Sequence, residues 1–129
     1  MPRRASRPDK ALGRTNEPGV LILTSLASGP KHGYALAKDI EEFAGVTLGP
    51  GTLYGAITRL EERGLIEATA GDSRRRPYRI TADGRAALAG VVRDMRAIAD
   101  EGAARLRLRV LARDIITGHL PAPSFGQAR

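Results

Sequence analysis

The chain has 129 residues, of which 42% are hydrophobic and 27% charged, with a net charge of +7. That length suits one ordinary compact domain, and an aromatic content of only 4% means a core built from Leu, Ile, Val and Ala. The absence of cysteine excludes a disulfide framework, a zinc–thiolate centre and a cysteine nucleophile.

Residues 1–15 mix Arg, Pro, Ser and Gly without apolar periodicity and read as a basic mobile arm, with Arg3, Arg4, Arg7, Lys10 and Arg14 set against Asp9. Asn16-Glu17-Pro18 is a helix start, because Asn can cap and Pro is tolerated in the first turn. A first helix over residues 18–27 is apolar almost all round (Val20, Leu21, Ile22, Leu23, Leu26), the pattern of a helix buried on several sides. Ser28-Gly29-Pro30 stops it. The second helix, from His32-Gly33-Tyr34 to Phe43-Ala44, places Leu36, Ile40 and Phe43 on one core face, and Gly45 ends it. Gly49-Pro50 opens a third helix that reaches Arg63. In it Leu53, Ile57 and Leu60 repeat the spacing of four then three, and Gly64 is the stop.

The periodicity then changes. Leu65-Ile66-Glu67-Ala68-Thr69 and Pro77-Tyr78-Arg79-Ile80-Thr81 read as short strands joined by a polar turn, a β-hairpin. Within residues 72–79, Arg74, Arg75, Arg76 and Arg79 face a single acidic residue, Asp72. This segment and the N-terminal arm hold the entire positive excess, since the remaining charges balance. Two basic segments fit arms reaching for a polyanion, and a solvated tail and loop are the plain alternative. Thr81 caps a fourth helix with Asp83 at the positive end of its dipole. That helix is expected over residues 82–113, with Gly90 and Gly102 as weak points. The expected organisation is an arm over 1–15, a winged helix domain over 16–81, a C-terminal dimerisation helix within 82–116 and a loose tail over 117–129.

Three short helices, a hairpin and a long helix make a mainly α fold with a small β-hairpin: a winged helix-turn-helix followed by a long dimerisation helix. At about 100° per residue, Gly51, Gly55, Thr58 and Glu62 lie opposite Leu53, with Thr52, Tyr54 and Arg59 at the flanks. A helix entering the major groove needs such a small, polar N-terminal face. Each glycine costs a helix roughly 1 kcal/mol relative to Ala. Close approach to a duplex explains that cost, although Gly51 also reads as a first-turn residue with little penalty. Tyr54 reads as a phosphate contact, as a half-buried core residue, or as both. Tyr34 either contacts a phosphate at the positive end of the second helix or forms a lid over the first. His32 reads as a turn or cap residue. Arg74, Arg75 and Arg76 repel one another unless an anion is near, and in a winged helix this tip lies over the minor groove or flanking backbone.

On the fourth helix Leu88, Val92, Met95, Ala99, Gly102 and Leu106 recur at heptad spacing, with Val91 and Ile98 widening the stripe. About 30 helical residues span roughly 45 Å, longer than a small winged-helix body covers. The stripe therefore calls for a second chain, most simply in a twofold dimer; a helix folded back on its own domain is the alternative.

Four stretches in this order carry a family resemblance: Gly29-Pro30-Lys31-His32-Gly33-Tyr34, Pro50-Gly51-Thr52-Leu53-Tyr54, Arg59-Leu60-Glu61-Glu62-Arg63-Gly64-Leu65-Ile66 and Arg76-Pro77-Tyr78-Arg79-Ile80-Thr81-Ala82-Asp83-Gly84. With them the chain resembles the PadR family of bacterial transcriptional regulators. The resemblance implies a winged helix, a homodimer through the C-terminal helix, and repression of nearby genes, often released by a small-molecule effector. It also implies DNA contacts at Tyr34, Thr52, Tyr54 and the wing arginines. Two departures stand out. Gly49 replaces the side-chain cap expected before Pro50, and the fourth helix lacks the tryptophans that hold flat aromatic ligands in some relatives.

The two histidines, His32 and His119, are far apart in sequence and lack an obvious carboxylate partner, and no phosphate loop, metal motif or nucleophile motif occurs. No catalytic residue, metal or cofactor is assigned. No apolar run approaches the roughly 18 residues of a membrane span, and no secretory signal is visible, so a cytoplasmic protein without a membrane partner is expected. The reading is a homodimeric regulator that binds a palindromic double-stranded DNA operator sequence-specifically. The alternatives are a winged-helix module that binds a partner protein, whose third helix would expose apolar residues, and a nucleic-acid binder without sequence preference.

Overall fold

A computed structural model of the chain describes residues 17–69 and 76–107. The elements are α1 (Pro18–Leu26), α2 (Gly33–Ala44), α3 (Pro50–Glu62), β1 (Ile66–Ala68), β2 (Tyr78–Ile80) and α4 (Ala82–Leu106). The fold is a winged helix-turn-helix with a long C-terminal helix, as expected. Two compact units divide between Val91 and Val92. In the first, α1, α2 and α3 enclose a core to which both strands contribute. Leu21, Ile22, Leu23 and Leu26 of α1 meet Leu36 and Ile40 of α2, Leu53, Ala56, Ile57 and Leu60 of α3, and Ile66 and Ile80 of the hairpin. Each fully buried Leu or Ile contributes about 1.5–3 kcal/mol, so this cluster is the main source of stability. No described helix is long and apolar enough to cross a membrane.

Phe43 does not join the core as its spacing predicts; it is 47% exposed. The reason is where α2 ends. Gly45 takes a left-handed conformation (φ 69°) and its N–H closes on the Glu41 carbonyl at 2.9 Å. Beyond this closure Leu48 is buried and Val46 packs against the cluster. The expected cap of α1 also moves. Glu17 occupies the N-cap position without a side-chain bond, and Asn16 lies outside the described residues.

At the end of α3 the N–H of Leu65 reaches the Leu60 carbonyl at 2.9 Å and that of Gly64 (φ 74°) reaches Glu61 at 3.0 Å. This double closure through a left-handed glycine satisfies carbonyls that the helix leaves open and turns the chain into β1. The strands pair antiparallel with Ile66 opposite Ile80, Glu67 opposite Arg79 and Ala68 opposite Tyr78. Each is two residues shorter than the sequence suggests. Lys31 adds a bridge on the far side of β2: its N–H donates to the Tyr78 carbonyl at 3.1 Å, and the Tyr78 N–H donates back at 2.9 Å.

Thr81 caps α4 as expected, its Oγ1 accepting the Gly84 N–H at 3.0 Å while donating to the Gly64 carbonyl at 2.7 Å. Gly84 has a packing role that the sequence does not advertise. A Cβ there would strike the Leu65 carbonyl oxygen and come within 2.8 Å of Ile80 Cγ1. In the second unit α4 ends at Leu106, where Arg107 turns left-handed (φ 60°); the expected continuation to Arg113 lies outside the described residues.

Candidate nucleic-acid interface

α3 divides into an inner and an outer side. Leu53, Ala56, Ile57 and Leu60 are buried, whereas Gly51, Thr52, Thr58, Arg59 and Glu62 are exposed. A Cβ on Gly51 would meet nothing within 4 Å, and one on Gly55 would meet only Arg59 Nη1 at 3.5 Å. Both glycines therefore leave open space rather than fill a tight contact. Gly49 is the N-cap and makes no side-chain bond, which matches the departure noted in the sequence; Pro50 supplies the fixed φ of the first turn. Thr58 donates its hydroxyl to the Tyr54 carbonyl at 2.9 Å, so that proton is engaged inside the helix.

Tyr54 is half-buried, as one of its sequence readings has it. It is 48% exposed, yet its hydroxyl end lies against buried Gly33 at the start of α2. A Cβ on Gly33 would collide with that hydroxyl and approach Cζ to 2.8 Å, so alanine at 33 would displace the ring. Sequence reasoning assigned Gly33 no role; its place at a helix start is a weak signal without knowledge of what packs there. Tyr34 is 78% exposed, which rules out a lid over α1 and leaves its ring free beside the N-terminal turn of α2. His32 holds the N-cap position of α2 without a side-chain cap bond.

In the wing, Arg76 is exposed, while Arg74 and Arg75 lie outside the described residues. Arg79 is not a free wing cation as the charge count implied. Its Nη2 donates to Glu67 Oε2 at 2.6 Å and its Nε at 3.1 Å, because the register sets the two residues opposite each other. Burial, followed by the Glu61 carboxylate, raises the pKa of the Tyr78 phenol above its ordinary value. The root of the wing is tied to the helices through Lys31, whose Nζ donates to the Ser25 carbonyl at 2.6 Å and Ser28 Oγ at 2.9 Å. Buried Ser25 in turn donates to Asp39 Oδ2 at 2.6 Å. Between the start of α1 and the C-terminal half of α3 lies a cavity of about 230 Å³ lined by Glu17, Pro18, Gly19, Ala56, Arg59, Leu60 and Arg63. Arg59 thus stands at the α1 flank of the outer face, and Arg63, which the sequence did not single out, stands with it.

On α4, Leu88 is half-buried and packs against the core of its own unit. Val92, Met95, Ala99 and Leu106 are exposed in the single chain, as are Gly102 and, at 74%, Ile98.

Comparison with known proteins agrees with this architecture. The sequence profile of the "Transcriptional regulator PadR-like family" matches residues 22–90. A PadR family transcription regulator from hypervirulent Clostridium difficile R20291 is 26% identical, with a TM-score of 0.63 over 70% of this chain and 99% of that one. A PadR family transcriptional regulator from Eggerthella lenta DSM 2243 is 32% identical, with a TM-score of 0.55 over 72% of this chain and 86% of that one. An uncharacterised 37.1 kDa protein in transposon TN4556 of Streptomyces fradiae is 47% identical over 72 residues, which is 56% of this chain. The match spans only 21% of that relative's length. With its profile match running from within α1 into α4, the chain belongs to the PadR-like family of transcriptional regulators.

Proposed function

We propose that the chain is a sequence-specific, cytoplasmic DNA-binding repressor that acts as a homodimer on a palindromic operator. The observation that carries the reading is the open outer face of α3, where Gly51 and Gly55 leave room and Thr52, Thr58 and Arg59 are exposed. A face of this composition suits a major groove, and apart from Tyr54 it offers no large apolar side chain to a protein partner. Two protomers join through the Val92, Met95, Ala99, Gly102 and Leu106 stripe of α4, with Leu88 at its core-proximal end. They present their α3 helices about one duplex turn, roughly 34 Å, apart. Thr52, Tyr54, Thr58 and Arg59 read bases or fix register. Tyr34 meets a phosphate beside the N-terminal turn of α2, and Arg74, Arg75 and Arg76 clamp the flanks. A small-molecule effector that releases the operator belongs to the same reading.

The test compares binding to duplex from the upstream region of the chain's own gene with binding to random duplex at one salt concentration. Preference for the upstream duplex supports operator reading, and equal affinity rejects it. Replacing Arg74, Arg75 and Arg76 with Ala should weaken binding and flatten its salt dependence, by about 0.9 in slope for each phosphate no longer neutralised. An unchanged slope rejects the clamp.

A further inference from the structure

The outer ridge of α3 carries more information than a general fit to a groove. Gly51, Gly55, Thr58 and Glu62 follow one another at spacings of four, three and four and so share one side of the helix. The two glycines leave the backbone bare, and neither is required by packing within the domain, since an added Cβ finds open space at 51 and only the far end of a flexible arginine at 55. Thr58 is the first residue on this ridge with a side chain, and it is exposed. Its hydroxyl carries a single hydrogen, and that hydrogen is committed to the Tyr54 carbonyl at 2.9 Å. What remains for a ligand is the γ-methyl and a lone pair.

We propose that Thr58 is a specificity-determining residue that recognises the C5-methyl of a thymine in the major groove through its own γ-methyl, above the bare floor of Gly51 and Gly55. This rests on the reading of α3 as the helix that enters the groove. The thymine methyl is the one apolar feature on the major-groove edges, and guanine presents acceptors there at N7 and O6. A threonine whose hydroxyl donates within its own helix must give up that bond before it can donate to those acceptors. Contact between methyl carbons requires approach to about 4 Å, and the missing Cβ atoms at 51 and 55 permit it. Arg59 lines the cavity beside the start of α1, and its movable guanidinium lies 3.5 Å from where a Cβ on Gly55 would stand.

In the test, the full chain selects duplexes from a random pool. The preferred site is then resynthesised with deoxyuridine in place of thymine, one position at a time, and each binding constant is measured at fixed salt. At one or more positions, loss of the methyl should weaken binding about fourfold, the scale of one buried methyl group. Thr58→Ser, which keeps the hydroxyl and loses the methyl, should abolish the difference between thymine and deoxyuridine at that position. Thr58→Val, which keeps the methyl and loses the hydroxyl, should keep the discrimination between thymine and deoxyuridine. Insensitivity of the parent to every deoxyuridine overturns the proposal without relying on any variant. Loss of that discrimination in a folded Thr58→Val protein overturns it too, because the hydroxyl would then be the reading group. A pool that yields no preferred sequence overturns operator reading as a whole. A clear preferred sequence without methyl sensitivity removes only the role of Thr58.

Discussion

Replacing Gly55 with alanine makes stability and DNA binding move in opposite directions if α3 faces a duplex. Gly55 lies inside a 13-residue helix, where glycine is about 0.5–1 kcal/mol less favourable than alanine. The added Cβ would find Arg59 Nη1 at 3.5 Å, an ordinary contact with the movable end of a long side chain. No backbone atom obstructs it, so the variant should gain most of that difference. For a domain of this size, such a gain raises the melting temperature by roughly 2–8 °C. The same methyl stands on the ridge that approaches the bases and should hold them off. A cost of about 1–3 kcal/mol, the scale of one mismatched base pair, weakens Kd roughly 5- to 150-fold. Thermal unfolding and a fluorescence-anisotropy titration on the preferred duplex measure the two effects on one preparation. A loss of stability would mean that the glycine face is packed against something. A gain in stability with unchanged affinity would mean that this face never enters a groove. Either result refutes the reasoning.

Lys31→Met keeps the apolar stem but removes the donor that bonds Ser25 and Ser28. It should lower unfolding stability by about 1–3 kcal/mol in a denaturant titration, and an unchanged midpoint would show that these bonds contribute nothing. Ile98→Asp places a charge on the exposed stripe of α4 and should convert a dimer into a monomer by light scattering, with secondary structure retained; a dimeric variant argues against this interface. The raised Tyr78 pKa gives a signed pH effect. The folded chain holds the phenol proton more tightly than the unfolded chain, so the contribution is complete below about pH 10 and is lost as pH rises through the folded value. Tyr78→Phe should therefore flatten the alkaline fall in stability, and identical slopes for parent and variant would sink the assignment.

Features that depend on neighbours along the chain were legible from residue order. Apolar spacing of four and three placed α2 and α3, a run apolar almost all round placed α1, glycines at 45 and 64 marked the ends of α2 and α3, and Thr81 announced the cap of α4. The division of α3 into a leucine side and a glycine–threonine side also follows from local geometry, because 3.6 residues per turn fix which positions share a face. For the same reason most of the candidate interface was legible before any coordinates. Features that depend on residues distant in sequence emerged only from packing. Phe43 has the right spacing for the core but stays 47% exposed, whereas Leu48, which no periodicity marked, is buried. Arg79 looks like a free wing cation until strand register sets Glu67 opposite it. Gly33 looks like ordinary helix-start glycine until the Tyr54 ring comes to rest on it, and Lys31 like a loop lysine until α1 and β2 close around it. Periodicity encodes the direction in which a side chain leaves its own helix; what it meets there is settled only when separate elements pack together.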